Sequence, residues 1–596
     1  MLNWHDVAVT SHDEHGRPAQ PVPHAMAAVT LLEEIRSGLD DVALPLALPG
    51  ADQARRDTSA ARAQLDDYIL PRYRSLDAPL LAVVGGSTGA GKSTLVNGLV
   101  GHPVTRAGAI RPTTRQPILL HNPAEGTWFE GQRVLPGLSR IRGTLAGSPV
   151  AASAMPEPRE ASSLVLLADP AVPAGIALLD APDVDSISDQ NRLLAGQLLA
   201  AADLWVFVTT ANRYADAVPW KLLLDAAARD ITVAVVLDRV PPGAEEEVSQ
   251  DLRGLLDREG LAASRLFIIA ETVLDPHGML PPRAVTELRD WLGSLAADAA
   301  GRAEVARRTL NGTVRALALR IPDIAGAVRE QELAAARLEA DALAAYEDAA
   351  TRILDATRDG ALLRGEVLAR WQDFVGTGEF FRAVEQNVGR FRDRLGAFFR
   401  GEPAPAVRVE AAIETGLQAV IVDEAANAAE DTDQRWRSDP AGRQLLGPDD
   451  LSGTGPGFPE RAAAEIRAWQ EALMELIRTE GQGKRTQARW LSFGINGLGA
   501  ALMIVVFSTT AGLTGLEIGV AGGTAVVGQR LLEAVFGEDA VRRMADKARE
   551  DLAVRCRNLL ADEQQRFLQR LPEGNPALAQ RLTAHAGELA RLAEAA

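Results

Sequence analysis

Residues Pro79–Gly101 read PLLAVVGGSTGAGKSTLVNGLVG. An apolar run from Leu80 to Val84 breaks into glycines and resumes as an amphipathic stretch at Lys92. Within it, Gly86-Ser87-Thr88-Gly89-Ala90-Gly91-Lys92-Ser93 has the form G-x-x-x-x-G-K-S, the phosphate-binding loop that joins a strand to a helix. Each residue type has a physical task. Glycine lets the backbone curl so that successive N–H groups turn inward onto a phosphate. The N-terminus of the following helix adds a field that favours negative charge. Lys92 reaches the β- and γ-phosphate oxygens and Ser93 can ligate Mg²⁺, so Gly86 to Thr94 are read as nucleotide-binding. The chain has lysine only at Lys92, Lys221, Lys484 and Lys547, so one at the required place is informative.

The surroundings agree. LVLLADP from Leu164, GIALLDAP from Gly175, LWVFVTT from Leu204, ITVAVVLD from Ile231 and LFIIAET from Leu266 read as buried strands. Helical stretches alternate with them as far as about Asp290. That order predicts an α/β fold, a mostly parallel sheet with helices on both faces. Two further segments carry polar residues of interest. IRPTTRQPILL (Ile110–Leu120) puts Thr113 and Thr114 in a loop before an apolar run, where a threonine can sense a γ-phosphate through Mg²⁺ or simply cap a turn. LLDAPDVDS (Leu178–Ser186) ends an apolar strand in Asp180, placed to hold Mg²⁺ through a water.

On GGSTGAGKST, PTTRQP and DAPD the chain resembles the dynamin-like and related large P-loop GTPases, bacterial ones especially. The resemblance implies GTP as substrate, Mg²⁺ held by Ser93, Thr114 and Asp180, and Lys92, Thr114 and Asp180 as the catalytic set. In that family the switch threonine is followed by Arg and, two residues later, Pro, which selects Thr114 over Thr113. Three departures stand out. Asp183 replaces the glycine of Asp-x-x-Gly; its carboxylate would repel a phosphate, so it is expected to turn away or to order the attacking water. Thr88-Gly89 stands where dynamins carry Gln-Ser, which leaves the hydrolysis residue unassigned. Leu237-Asp238-Arg239-Val240-Pro241 stands where GTPases have Asn/Thr-Lys-x-Asp. Arg239 is expected to stack on the base and Asp238 to offer a carboxylate, with GTP preferred over ATP. Ala270-Glu271-Thr272 falls at the last base-contacting loop or at a plain strand-end turn.

Composition bounds the rest. The chain has 596 residues and a net charge of -18, which argues against a nucleic-acid partner by bulk electrostatics. One cysteine, Cys556, rules out an intramolecular disulfide framework and fits a reducing compartment. His5, His12, His15 and His24 lie in a polar tail with no cysteine nearby, a solvated segment rather than a metal site. No signal peptide is visible. The expected organisation is a disordered tail (1–25), N-terminal helices packing on the helical region (26–76), the P-loop domain (77–292) and an all-α bundle or stalk (293–489). An apolar hairpin (490–529) and returning helices (530–596) complete it. Breaks in the long helices are expected at Ile321–Pro322 and Gly376–Gly378.

The hairpin poses its own question. GINGLGAALMIVVFSTTAGLTGL, Gly494–Leu516, carries no charge, and after Glu517 none returns until Arg530. A span needs about 20 apolar residues, and one helix of that length fits inside Leu491–Gly512. Arg478, Lys484, Arg485 and Arg489 precede the stretch, and Arg530, Arg542 and Arg543 follow it, which would keep both ends on one side of a bilayer. Trp490 fits an interfacial anchor. The other reading is a buried hairpin at the heart of the bundle, or a homotypic interface. The membrane reading is the one adopted. It makes the chain a dynamin-like GTPase coupling GTP binding and hydrolysis to conformational change and membrane association or remodelling. It would act at the cytoplasmic face of the cell membrane, as a homo-oligomer or with a related GTPase partner. The alternative is a soluble regulatory GTPase, or ATPase, whose bundle binds a protein partner and buries the hairpin.

Overall fold

The computed structural model describes residues 23–104, 116–131, 133–143, 163–185, 189–214, 216–358, 367, 369–371, 405–481, 495–508 and 520–595. The chain divides into two compact units. One gathers the chain up to Leu44, Pro49–Glu330 and Asn575–Ala596; the other gathers Pro45–Leu48 and Gln331–Gly574.

The first unit opens with α1 (Pro23–Asp40), α2 (Ala51–Gln64) and α3 (Leu70–Arg74). An α/β succession follows: β1 (Leu80–Gly86), α4 (Lys92–Val100), β2 (Ile118–His121), α5 (Gly126–Glu130), β3 (Ser139–Arg142) and β4 (Ser163–Ala168). It continues through β5 (Ile176–Asp180), α6 (Asp189–Ala200), β6 (Leu204–Thr210), α7 (Ala217–Ala227), β7 (Thr232–Val240), α8 (Glu245–Arg258), β8 (Arg265–Ala270) and α9 (Thr286–Ala297). The strands form one eight-stranded sheet in the order β3-β4-β2-β5-β1-β6-β7-β8. Neighbours run parallel except β2 against β5. Every residue of β1, β5 and β6 is buried. Strands covered on both faces read as continuous apolar runs rather than as alternation, which is why these segments stand out in the sequence. β3 does not: its four residues, SRIR, lie at the sheet edge with exposed ends.

Period two still sorts the side chains. Leu81, Val83, Leu179, Phe207 and Val235 face a core shared with Leu32, Ile35, Leu578 and Leu582. Ala82, Val84, Leu178, Val206 and Ala234 face the other core, against Leu95 and Leu99 of α4 and Leu288 and Leu292 of α9. β1 lies between β5 and β6; the chain leaves β1 toward β2 on one side and later crosses from β5 to β6 on the other, so the strand order switches direction there. Open α/β sheets bind ligands beyond the strand ends at such a point.

A helix of 60 residues, α10 (Ala299–Arg358), runs through Pro322 without the expected break. Proline removes one helical hydrogen bond and crowds the preceding turn. Ile321, Ile324 and Ala325 are completely buried here, and that packing outweighs the local penalty. Gly376–Gly378 lies outside the described residues. Residues of α10 from Gln331 onward belong to the second unit.

The second unit continues with α11 (Pro405–Ser438), α12 (Pro440–Leu446), α13 (Phe458–Gly481), α14 (Ile495–Phe507), α15 (Val520–Phe536) and α16 (Glu538–Leu568). α17 (Pro576–Ala595) returns to the first unit, where Leu578 and Leu582 join the core with α1. α14 is the heart of the uncharged stretch. From Leu498 to Phe507 its apolar side chains are at most 3% exposed, on every side of the helix. A helix apolar all round belongs in a core or in lipid, and here the cover is protein. α15 lies against it: a Cβ on Gly528 would sit 3.3 Å from the Ala501 carbonyl oxygen. Arg549 of α16 donates to Val506 O at 3.0 Å and Val505 O at 3.1 Å, satisfying carbonyls that a helix end otherwise leaves open.

In this structure the described part of the uncharged stretch is enclosed by protein. α14 has 13 residues, about 20 Å of helix against a hydrocarbon layer of about 30 Å. Among the described residues no helix is long and apolar enough to cross a membrane. Three of the basic flanking residues are ion-paired: Arg478 with Glu475, Arg542 with Glu538 and Arg543 with Glu480. Trp490, Lys484, Arg485 and Arg489 lie outside the described residues.

Glu410 of α11 also faces α14. Its Oε1 is buried without a hydrogen-bond partner among the described residues and would lie 3.7 Å from a Cβ on Gly499. Burial pushes its carboxyl up to about 7. Between its unfolded value of 4.5 and about 7 the folded state holds the proton more tightly, so stability falls as pH rises through that window. We expect Glu410→Gln to raise the melting temperature above pH 7 and to leave it little changed near pH 4.5. Thermal melts of both proteins across that range check it.

Candidate functional site: the phosphate-binding loop

β1 ends at Gly86, in register with Val208 of β6, and Asp180 closes β5 beside Val84. The loop then turns with φ of 149° at Gly86, 71° at Gly89 and 95° at Gly91. Glycine is favoured at two of these positions, at Gly86 by the neighbouring backbone and at Gly91 chiefly by its positive φ. A Cβ on Gly86 would collide with the Val208 carbonyl oxygen, and one on Gly91 with the Asp238 carboxylate. α4 starts at Lys92, so its first N–H groups point to where the loop curls.

Lys92 is 6% exposed. Its Nζ donates to Gly86 O at 3.1 Å, to Ser87 O at 3.0 Å and to Asp183 Oδ1. Asp183, expected from the sequence to turn away from a phosphate or to order the attacking water, here pairs with the lysine. Ser93 Oγ donates to Asp180 Oδ2 at 2.8 Å. Asp180 is fully buried, and burial pushes its carboxyl up to about 6 against the pull of Ser93 and Lys92. Its Oδ1 has no partner among the described residues. A hydroxyl beside a buried carboxylate with an open oxygen is a hard-oxygen donor set, and it fits Mg²⁺. Thr113 and Thr114 lie outside the described residues.

A second cluster, invisible in the sequence, grips the middle of the loop. Thr88 donates from N and Oγ1 to Asp185 Oδ1, both at 2.6 Å. Arg213, just past β6, donates to Asp185 Oδ2 at 2.8 Å, to Thr88 O at 2.9 Å and to Asp216 Oδ2 at 2.7 Å. Burial raises the Asp185 carboxyl, but hydrogen bonds from Thr88 and Arg213 outweigh it and hold the group below the usual range. These residues lie far apart along the chain, so no local pattern announces them. Charge-assisted bonds of this kind are roughly twice as strong as neutral ones. Arg213→Ala should loosen the loop and weaken GTP binding roughly tenfold while the sheet stays folded; nucleotide titration with circular dichroism as control checks this.

At the other edge, β7 carries an irregularity between Leu237 and Val240. Arg239 adopts φ of 53°, a left-handed conformation uncommon outside glycine. Its guanidinium donates to Gly89 O. Asp238 is 8% exposed; burial raises its carboxyl, opposed by the Arg239 backbone hydrogen bond and charge. Asp238 and Arg239, both in β7, thus lie against the phosphate-binding glycines Gly91 and Gly89. Glu271 N donates to Val240 O at 2.8 Å, which brings the Ala270-Glu271-Thr272 turn beside them. Among the described residues, no group of three or more His, Cys, Asp or Glu is placed to hold a metal by itself.

Residues 81–236 match the family model Dynamin_N, the dynamin family. No curated protein matches the chain. Two chains from solved structures of an oligomerised bacterial dynamin pair, described as providing a mechanism for the long-range sensing and tethering of membranes, also align. The first covers 95% of this chain and 94% of its own at 10% identity and a TM-score of 0.39. The second covers 96% of this chain and 98% of its own at 12% identity and a TM-score of 0.41. The family match falls on the sheet that carries the phosphate loop, so residues 81–236 are a dynamin-family GTPase domain, the domain of a nucleoside-triphosphate hydrolase.

Proposed function

We propose that the chain couples GTP binding and hydrolysis to a rearrangement of its helical unit, and through it to association with a membrane. The observation that carries this is the pairing, in one chain, of a dynamin-family nucleotide domain with a helical unit that encloses an uncharged helix. Lys92 and the loop amides hold the phosphates. Ser93 and Asp180, with Thr114 by family likeness, would hold Mg²⁺, which when bound neutralises phosphate charge. Asp238 and Arg239 flank the base, with GTP preferred to ATP. The working form is a homo-oligomer, or a pair with a related GTPase, at the cytoplasmic face of the cell membrane.

The burial of α14 favours a second reading, a soluble regulatory GTPase whose bundle binds a protein partner. The readings differ in whether α14 ever leaves its core. Deleting α14 cannot decide between them, because the deletion removes the core itself. Flotation of the full chain with liposomes of neutral and anionic lipid, in GDP and in a non-hydrolysable GTP analogue, can. Binding that depends on the analogue supports the membrane reading; no binding in any state leaves the soluble one.

A further inference from the structure

We propose that Asp183 is a specificity-determining residue of the phosphate site: an internal counter-anion that competes with the terminal phosphate of the nucleotide for Lys92. This deepens the GTPase reading and rests on it.

An ammonium group has three N–H donors, and Gly86 O, Ser87 O and Asp183 Oδ1 take all three from Lys92. A phosphate oxygen reaches Nζ only by replacing one of them. The two carbonyls belong to the backbone of the loop, where Gly86 is in β1, parallel to Val208 of β6. The carboxylate hangs on the segment after β5, so it is the group that gives way. It does not go far. Two residues on, Asp185 is fastened to Thr88 and Arg213. The displaced carboxylate therefore stays close to the phosphate end of the site.

Both groups come from surroundings that strengthen their interaction. The Lys92 side chain is 6% exposed and that of Asp183 15%, and charges screened this little by water interact strongly. A nucleotide must break the pair, and its last phosphate then lies nearest the freed carboxylate. Repulsion falls with distance, so it weighs more on a triphosphate than on a diphosphate. Asp183 accordingly lowers the preference for GTP over GDP relative to an uncharged residue at the same position.

The test is Asp183→Asn in the full chain, with binding of a fluorescent non-hydrolysable GTP analogue and of fluorescent GDP measured with Mg²⁺. The analogue should bind roughly ten- to a hundredfold tighter and GDP by less than about threefold. The melting temperature without nucleotide should fall, because Lys92 loses its buried counter-ion. A purely structural role predicts the fall without the tighter binding. Equal tightening of both nucleotides, or an unchanged ratio, overturns the proposal. Asp183→Glu, which keeps the charge, should retain the wild-type ratio; if Asp183→Asn does not fold, Asp183→Ser gives the neutral arm. Wild-type protein that binds neither nucleotide sinks the GTPase reading and this proposal with it, whereas binding with an unaltered ratio in the variants sinks the proposal alone.

Discussion

Lys92→Ala should lower GTP hydrolysis at least about a hundredfold and weaken nucleotide binding, the scale seen when a fixed charge-stabilising group is removed from an active site. The reasoning is electrostatic. Lys92 is the cation at the phosphate end of the loop and is almost fully buried. Its removal leaves Asp183 without its partner and Asp180 without a nearby positive charge. Two carboxylates then face an incoming polyphosphate without the cation that neutralised them. Lys92→Arg should not restore activity. A planar guanidinium cannot take the place of a compact ammonium that converges on two carbonyls and a carboxylate. Phosphate release measured at saturating GTP, with circular dichroism to confirm folding, checks both variants. Turnover that survives Lys92→Ala would sink the assignment of the site.

The nucleotide domain was legible because its signals are local. A strand buried on both faces, a glycine loop and a helix start follow one another without interruption from Leu80 to Val100. Polar residues mark where the apolar runs stop: Asp180 at the end of β5, and Asp238 with Arg239 near the end of β7. What was not legible arises from distance or from direction. Thr88 and Asp185 are separated by 97 positions, and Thr88 and Arg213 by 125, so only the folded sheet brings them together. For Asp183 the chain order locates the residue, but its attraction to Lys92, 91 positions away, exists only in the folded loop. Pro322 shows propensity overridden by burial. The apolar stretch shows a different limit: hydropathy measures how strongly a segment avoids water, not what replaces the water.

Phe507→Ala should destabilise the second unit by about 3–5 kcal/mol, the usual cost of deleting a fully enclosed ring. Phe507 is completely buried at the end of α14, and its ring centre lies 5.6 Å from that of Trp469. Trp469 is itself tied to α16, its Nε1 donating to Ala548 O at 2.9 Å. The ring therefore closes a core between α13, α14 and α16, and its loss opens a cavity that fixed neighbours cannot collapse. Urea unfolding of the full chain without lipid reads this directly, followed as the midpoint of the transition that belongs to the second unit, since two units need not unfold together. A change below about 1 kcal/mol would mean that α14 is not held in this core. The same variant bears on the membrane reading. To reach lipid, α14 must give up this packing and the carbonyl contacts to Arg549. Weakening the packing lowers that cost without adding any affinity for lipid. If α14 is the element that contacts a bilayer, Phe507→Ala should float with liposomes even in GDP; if the bundle only buries it, the variant will lose stability and gain no membrane binding.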